Sequence, residues 1–158
     1  MKIVFTLALL AAIPVTSSFA QAPMTYGTPI TVEMAKQAAA PAIAEARKNQ
    51  WKMAVAVVDP AGDLVYFERM DDTQAGSVDV AIAKARSAAR FKRPTKAFQD
   101  ALAAGGEGLR ILALQGATPI EGGIPLVVGG KLVGAIGASG GTAPQDGQTA
   151  QAGANLFK

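Results

Sequence analysis

The sequence predicts an α+β domain, an antiparallel sheet flanked by helices. Two pairs of apolar runs, each pair joined by a turn rich in Pro, Gly or Asp, predict two β-hairpins. Alanine-rich segments with apolar residues at helical spacing precede, separate and follow these hairpins. Because single strands and helices do not alternate, the order favours α+β architecture over a parallel βαβ sheet.

Residues 1–20 have the pattern of a secretory signal peptide. Lys2 gives a positive start, residues 3–15 are almost uninterruptedly apolar, and Ser18-Phe19-Ala20 supplies small residues for cleavage. The apolar run is shorter than the ~20 residues that span a bilayer. We therefore expect a periplasmic or secreted protein without a membrane span after cleavage. A flexible lead-in would occupy residues 21–30, and one domain residues 31–158.

The composition excludes several classes of site. The chain has no cysteine and no histidine. An exported chain without cysteine has no disulfide, so packing and self-association must stabilise it. Without histidine, a His-containing catalytic triad, a His-ligated zinc and a haem with a proximal histidine are excluded. The net charge is only +3, from 15 basic and 12 acidic residues, which does not favour nucleic-acid binding.

The first half of the domain is predicted as a helix followed by a hairpin. Thr31 has the position of a helix N-cap, and small apolar residues recur at helical spacing as far as Ala46. Pro41 within that pattern predicts a kink or a late helix start. The apolar runs 53–58 and 64–70 predict the two hairpin strands.

The second half predicts two helices, a second hairpin and a closing helix. Ser77 has the position of an N-cap for a helix that Pro94 ends. Residues 108–115 carry an apolar segment that the sequence assigns neither to a helix nor to a strand. The remaining predicted elements are a helix over 95–103, strands over 124–128 and 132–138, and a helix over 144–156.

Residues 129–141, GGKLVGAIGASGG, are unusually rich in glycine for a strand. Their spacing matches neither a dinucleotide-binding fingerprint nor a Walker A loop. Gly134 and Gly137 are separated by an odd number of residues, so on a regular strand they face opposite sides of the sheet. Close backbone packing is the first use that we expect for such glycines. Backbone N–H groups at Gly140-Gly141 could also hold an anion.

Charged residues beside small residues are the candidate ligand-binding groups. Each can be a solvated surface charge or part of a shallow groove. Asp71 and Asp72 alone do not predict a metal site, because hard cations require several converging oxygens. The candidate ligand-binding set is Arg69, Asp71, Lys84, Glu121, Gly122, Gly123, Ser139, Gly140, Gly141 and Asp146.

A basic series runs along the second helix and past its end. Positive charge at a helix C-terminus is favoured by the helix dipole and needs no ligand. The same series could instead clamp carboxylates, such as those of a small acid or the propionates of a porphyrin. Both interpretations remain open. The series is Lys84, Arg86, Arg90, Lys92 and Arg93.

Several segments, in this order, resemble the GlcG/HbpS family, which includes the C-terminal domain of PduO-type proteins. The segments are VVDPAGDL (57–64), ERMDD (68–72), AKA (83–85), GGIP (122–125) and GAIGASGG (134–141). The resemblance implies a single GlcG-like domain with a sheet of about five antiparallel strands. It also implies a homo-oligomer, an octamer in haem-binding members, and haem as a cofactor in haem or iron sensing or oxidative-stress protection.

The absence of histidine departs from the PduO-type pattern, in which histidine holds the haem. Haem bound by this chain would need Met, Tyr, Thr or Lys as an axial ligand, or would have no protein ligand at all. Met70, Tyr66 and Thr118 are the candidates that the sequence offers.

Two functions follow. The favoured one is a non-enzymatic, exported protein that binds haem or a related tetrapyrrole. The alternative is a small-carboxylic-acid-binding protein or enzyme. It would use Arg69 and Lys84 as an anion clamp, and Glu121 and Asp146 as the acid–base pair.

Overall fold

The computed structural model describes residues 24–157, and the predicted signal peptide lies outside this range. Within that range no helix is long and apolar enough to cross a membrane. The elements are β1 (Thr25–Tyr26), α1 (Val32–Lys48), β2 (Ala54–Val58), β3 (Leu64–Arg69), α2 (Ser77–Phe91), α3 (Thr95–Ala103), a 3-10 helix (Gly106–Ala113), β4 (Gly123–Val128), β5 (Lys131–Ser139) and α4 (Ala143–Ala154).

The five strands form one sheet around β5. On one side β5 pairs antiparallel with β4. On the other side it pairs antiparallel with β2, and β3 lies beyond β2. Both predicted hairpins and the α+β class are thereby confirmed. Thr25–Tyr26, predicted to lie in the flexible lead-in, instead forms β1 and pairs parallel with the start of β5.

Helices cover both faces of the sheet. Val55 and Val57 point to the face covered by α1 and α4, where they share a core with Ile136. Ala54 and Ala56, on the alternate positions of the same strand, pack against α2. Because side chains alternate along a strand, this five-residue buried strand supplies both cores.

The strand glycines pack against backbone on opposite faces of the sheet, as their spacing predicts. A Cβ at Gly137 would lie 2.6 Å from the backbone nitrogen of Ala85 in α2. A Cβ at Gly134 would lie 2.9 Å from the Cγ2 of Ile30, which belongs to the core under α1. Glycine therefore lets neighbouring backbone and side chains approach the strand on each side.

Thr31 caps α1 as predicted, whereas Ser77 does not cap α2. The Thr31 Oγ1 accepts a 3.2 Å hydrogen bond from the Met34 N–H, which confirms the cap of α1. That helix is continuous through Pro41, so the predicted late start was wrong. Ser77 is the first residue of α2 rather than its cap: Gly76 occupies the cap position, and the Ser77 hydroxyl accepts from the Gln74 side-chain amide.

Replacing Gly137 should destabilise the fold by overpacking. In Gly137→Ala the new methyl group would press on the backbone of α2, which cannot move away without distorting the helix. We expect a loss of about 1–3 kcal/mol in the free energy of unfolding, measured by urea titration. The control is Gly76→Ala, because nothing lies within 4 Å of a Cβ there. Equal stabilities of the two variants would contradict the packing role of Gly137.

Candidate functional site

A buried ion pair lies at the end of the sheet where β4 begins. The Lys84 Nζ lies 2.6 Å from the Asp146 Oδ2, and both side chains are almost completely buried. Lys84 also donates a 3.2 Å hydrogen bond to the Ala138 carbonyl. The other carboxylate oxygen of Asp146 accepts a 2.9 Å bond from the Gly141 N–H. The pair joins α2 to α4, which pack on opposite faces of the sheet.

Two glycines allow the edge strand to cover this ion pair. A Cβ at Gly122 would lie 3.0 Å from the Lys84 Nζ and 2.9 Å from the Asp146 Cβ. The φ of Gly122 is +125°, a conformation that residues with a side chain rarely adopt. A Cβ at Gly123 would lie 2.7 Å from the Cγ2 of Thr95. Close packing against Lys84, Asp146 and Thr95 therefore requires glycine at positions 122 and 123, without any bound ligand.

The environment of Asp146 favours its protonated form more than water does. Burial raises the pKa of Asp146, while the hydrogen bonds from Lys84 and Gly141 act in the opposite direction. A shifted carboxyl beside a cavity is a candidate for proton transfer. However, each of its oxygens already accepts a hydrogen bond from the protein.

The predicted anion-binding turn is filled by the chain's own carboxylate. The Gly141 N–H donates to Asp146 rather than facing an open site. A Cβ at Gly140 would lie 2.9 Å from the Met53 Cα, so this turn is packed against the start of β2. The Ser139 hydroxyl is buried 3.4 Å from that of Ser77.

A cavity of about 450 Å³ lies beside the ion pair, and we call it the Glu121 cavity. The Glu121 side chain packs directly on Gly147 of α4, where a Cβ would lie 2.8 Å from the Glu121 Cδ. The Glu121 N–H donates to the Gln99 side chain at 2.8 Å, which fixes the backbone at this position. The lining residues are Pro94, Lys96, Glu121, Gly122, Gly123, Ile124, Pro144, Gly147, Gln148 and Gln151.

A second cavity, of about 280 Å³, contains two arginines of α2, and we call it the arginine cavity. The Nε of Arg86 donates to the Gly62 carbonyl at 2.9 Å, and the Nε of Arg90 donates to the Ala61 carbonyl at 2.8 Å. The Thr118 hydroxyl lies in the same cavity and donates to the Ala83 carbonyl at 3.2 Å. Arg90 also lines an adjoining cavity of about 410 Å³ with Tyr26, Pro60 and Ala61.

The structure does not bring Arg69 and Lys84 into one site. Arg69, Met70 and Asp71 line a separate cavity of about 380 Å³ at the end of β3. Lys84 is buried against Asp146 instead. The proposed anion clamp therefore has its two cations in different environments, with Lys84 already neutralised.

The three candidate haem ligands do not converge on one cavity. Met70 and Tyr66 both pack against the core under α1. The Tyr66 hydroxyl donates to the Glu68 carboxylate at 3.1 Å, and burial and this carboxylate raise the pKa of Tyr66. Thr118 shares its cavity with two arginines.

Sequence reasoning missed part of both cavities. Arg86 and Arg90 were recognised in the basic series as one possible carboxylate clamp but were not included in the candidate ligand-binding set. Gly147, Gln148 and Gln151 were not singled out, although with Pro144 they fall on one helical face at i, i+3, i+4 and i+7. That spacing places the four residues on one face of α4, but it does not predict which other element lies opposite this face.

Comparisons with known proteins agree with the fold. Residues 30–155 match the family model described as "Haem degrading protein HbpS-like". Protein GlcG of Escherichia coli is 38% identical over 110 residues, which cover 70% of this chain and 81% of GlcG. The crystal structure of a double mutant of Streptomyces reticuli HbpS has a TM-score of 0.76 and 31% identity, covering 94% of this chain and 99% of that one. The crystal structure of a PduOC:heme complex has a TM-score of 0.73 and 26% identity, covering 83% and 96% respectively.

Removing one partner of the buried ion pair should be severely destabilising. Asp146→Asn leaves the Lys84 ammonium buried without a counter-charge, which costs about 3–5 kcal/mol of unfolding free energy. Lys84→Met combined with Asp146→Leu should recover much of that loss, because it removes both charges. Chemical denaturation measures all three free energies.

The matched control is Asp100→Asn. It breaks the exposed Lys96–Asp100 pair on α3 and should lower the free energy of unfolding far less than Asp146→Asn does, because water screens exposed charges. If Asp146→Asn were as mild as this control, the buried pair would have no special structural role.

Proposed function

The chain belongs to the HbpS-like family, and from that premise we propose that it is an exported protein that binds haem or a related tetrapyrrole. The observation that carries this proposal is the arginine cavity. It combines two fixed guanidinium groups with a hydroxyl oxygen and one acidic side chain, that of Asp79, at one surface of the fold, so its cationic groups outnumber its acidic one. Haem offers two carboxylates and an iron, so it presents complementary groups to such a surface.

The two arginines fit the carboxylates of haem. Their Nε atoms are anchored on the turn that joins β2 to β3. Within residues 24–157, neither Arg86 nor Arg90 forms a salt bridge with an acidic side chain. Their terminal nitrogens are therefore available for bidentate bonds to carboxylates. Gly62 permits this arrangement, because a Cβ there would lie 2.8 Å from the Arg90 Nε.

Thr118 would be the residue to contact the iron when the two arginines hold the carboxylates, because it lines the same cavity. Its hydroxyl proton is engaged by the Ala83 carbonyl, so the lone pairs of Oγ1 remain for an iron. The Ser87 hydroxyl accepts from the Thr118 N–H at 3.0 Å, which fixes the backbone of this residue. Haem, when bound, supplies a redox-active iron, while this chain holds the carboxylates and orients the macrocycle.

A second copy of the chain would cover the exposed side of the haem. The arginine cavity measures about 280 Å³, at the lower limit of sites that enclose small molecules. The 3-10 helix and the residue that follows it, before the cavity residues 116–118, expose Leu109, Leu112 and Leu114. Exposed apolar groups of this kind favour association. We propose a homo-oligomer, of which the octamer is one form, assembled with these surfaces inside.

A haem titration followed at the Soret band tests the function. We expect a saturable, shifted band. Arg86→Gln and Arg90→Gln should each weaken binding about tenfold or more, because each removes a charge-assisted interaction of about 1.5–3 kcal/mol. Arg93→Gln is the matched control, since Arg93 is exposed and does not line the cavity. A spectrum identical to that of free haem would reject the proposal.

The same titration discriminates among the axial candidates. Thr118→Val should shift the Soret maximum, whereas Met70→Leu and Tyr66→Phe should leave it unchanged. A shift in Met70→Leu alone would place the iron in the cavity at the end of β3 instead. Light scattering with and without haem reports the oligomer on the same samples. A haem-bound protein that remained monomeric would remove the second copy from the proposal.

Export would leave Gln21 as the first residue. Expression with the natural N-terminus, cell fractionation and mass determination of the purified protein test this. The expected product is periplasmic or secreted and lacks residues 1–20. A cytoplasmic product that retains Met1 or Lys2 would contradict it.

A further inference from the structure

The Glu121 cavity holds a carboxylate without a partner among the described residues. Within residues 24–157 no side-chain or backbone N–H donates to the Glu121 carboxylate, although its own N–H is held by Gln99. The side chain is half-buried and rests on Gly147, where the missing Cβ leaves room for it. Glu121 is therefore fixed at the wall of a cavity of about 450 Å³ with its oxygens available.

The two amides of α4 add acceptors to the same wall. The Gln148 Nε2 donates to the Glu45 Oε1 at 2.6 Å, and the Gln151 Nε2 donates to the Asn155 Oδ1 at 2.9 Å. Each amide nitrogen uses one of its two N–H groups outside the cavity, and each carbonyl oxygen can accept from a ligand. The amide oxygens of α4 therefore add acceptors for a ligand that donates hydrogen bonds.

The nearby cations are neutralised by other carboxylates. Lys84 lies under Gly122 but pairs with Asp146 at 2.6 Å. Lys96 lines the cavity but donates to both oxygens of Asp100, at 2.7 and 2.9 Å. The hydrogen bond to Asp100, and in smaller part the Glu121 charge, raise the pKa of Lys96. Glu121 leaves one negative charge uncompensated at this cavity.

We propose that the Glu121 cavity binds the cationic end of a small organic amine or guanidine. The ammonium or guanidinium group would donate to the Glu121 carboxylate and to the oxygens of Gln148 and Gln151. The apolar part of the ligand would rest on Pro94, Ile124 and Pro144, which line the same space. This site is distinct from the arginine cavity and has the opposite charge preference.

Neither an anion nor a hard metal ion fits this cavity as well. A carboxylate ligand would face Glu121 and acceptor oxygens, with both lysines already paired. Among residues 24–157 no group of three or more His, Cys, Asp or Glu side chains converges to hold a metal. Calcium takes six to eight oxygen ligands, which one carboxylate and two amides do not provide.

Calorimetry with four probes of matched shape tests the proposal. The probes are n-butylguanidinium, n-butylammonium, butyrate and butanol, titrated into the purified full-length protein. We expect the two cations to bind, the guanidinium more tightly because it can form paired hydrogen bonds, and the other two to show no saturable heat. This ranking requires no variant, so it stands even if a substitution impairs folding.

Variants then locate the binding. Glu121→Gln keeps the shape but removes the charge, and should weaken butylguanidinium binding ten- to a hundredfold. Glu107→Gln removes the same charge from the exposed 3-10 helix and should change binding less than twofold. Gly147→Ala, which displaces the Glu121 side chain, should also weaken it. Preference for butyrate, absence of binding by both cations, or an equal effect of Glu107→Gln and Glu121→Gln would overturn the proposal.

Discussion

The ion pair between Lys84 and Asp146 is the constraint on which the arrangement of this fold depends. Two charges removed from water are tolerated only when their remaining hydrogen-bonding capacity is satisfied. Here the Ala138 carbonyl and the Gly141 N–H supply the additional bonds. The pair also links α2 and α4 around the end of the sheet, so it connects the two helical layers that the sheet otherwise separates.

The ion pair requires small residues where α2 packs against the sheet. α2 must approach β4 and β5 closely for Lys84 to reach α4, and glycine at 123 and 137 permits this. Gly122 then lies on the pair, with Glu121 immediately before it. The position of Glu121 at its cavity thus follows from how the ion pair is covered. Residues of α2 on both sides of Lys84 line the arginine cavity, so this helix contributes both to the ion pair and to that cavity.

Most of the fold was readable from the sequence, because period and turn residues are local signals. Both hairpins, the cap at Thr31, the start of a helix at Thr95, and the opposite orientations of Gly134 and Gly137 were predicted correctly, whereas α2 ends at Phe91, before Pro94. β1 was missed because a strand of two residues is too short to show the alternation of apolar and polar side chains. The sites were less predictable: Lys84 and Asp146 were singled out as ligand-binding groups, yet they bind each other. Such a pairing over 62 positions depends on tertiary contacts that no local pattern contains.

Amide hydrogen exchange in the Lys84→Met, Asp146→Leu double variant tests the central claim most directly. If the pair fixes the covering segment, the amides of Gly123 and Ala138 should lose protection relative to the unaltered protein, because their acceptors, the Thr95 hydroxyl and the Gly122 carbonyl, lie beside the pair. Gly141 is not diagnostic, because the double variant removes its acceptor, the Asp146 carboxylate. The amides that join β2 to β3 should keep their protection. Unchanged protection at Gly123 and Ala138 would show that packing alone holds this end of the sheet, and would contradict the role assigned to the ion pair.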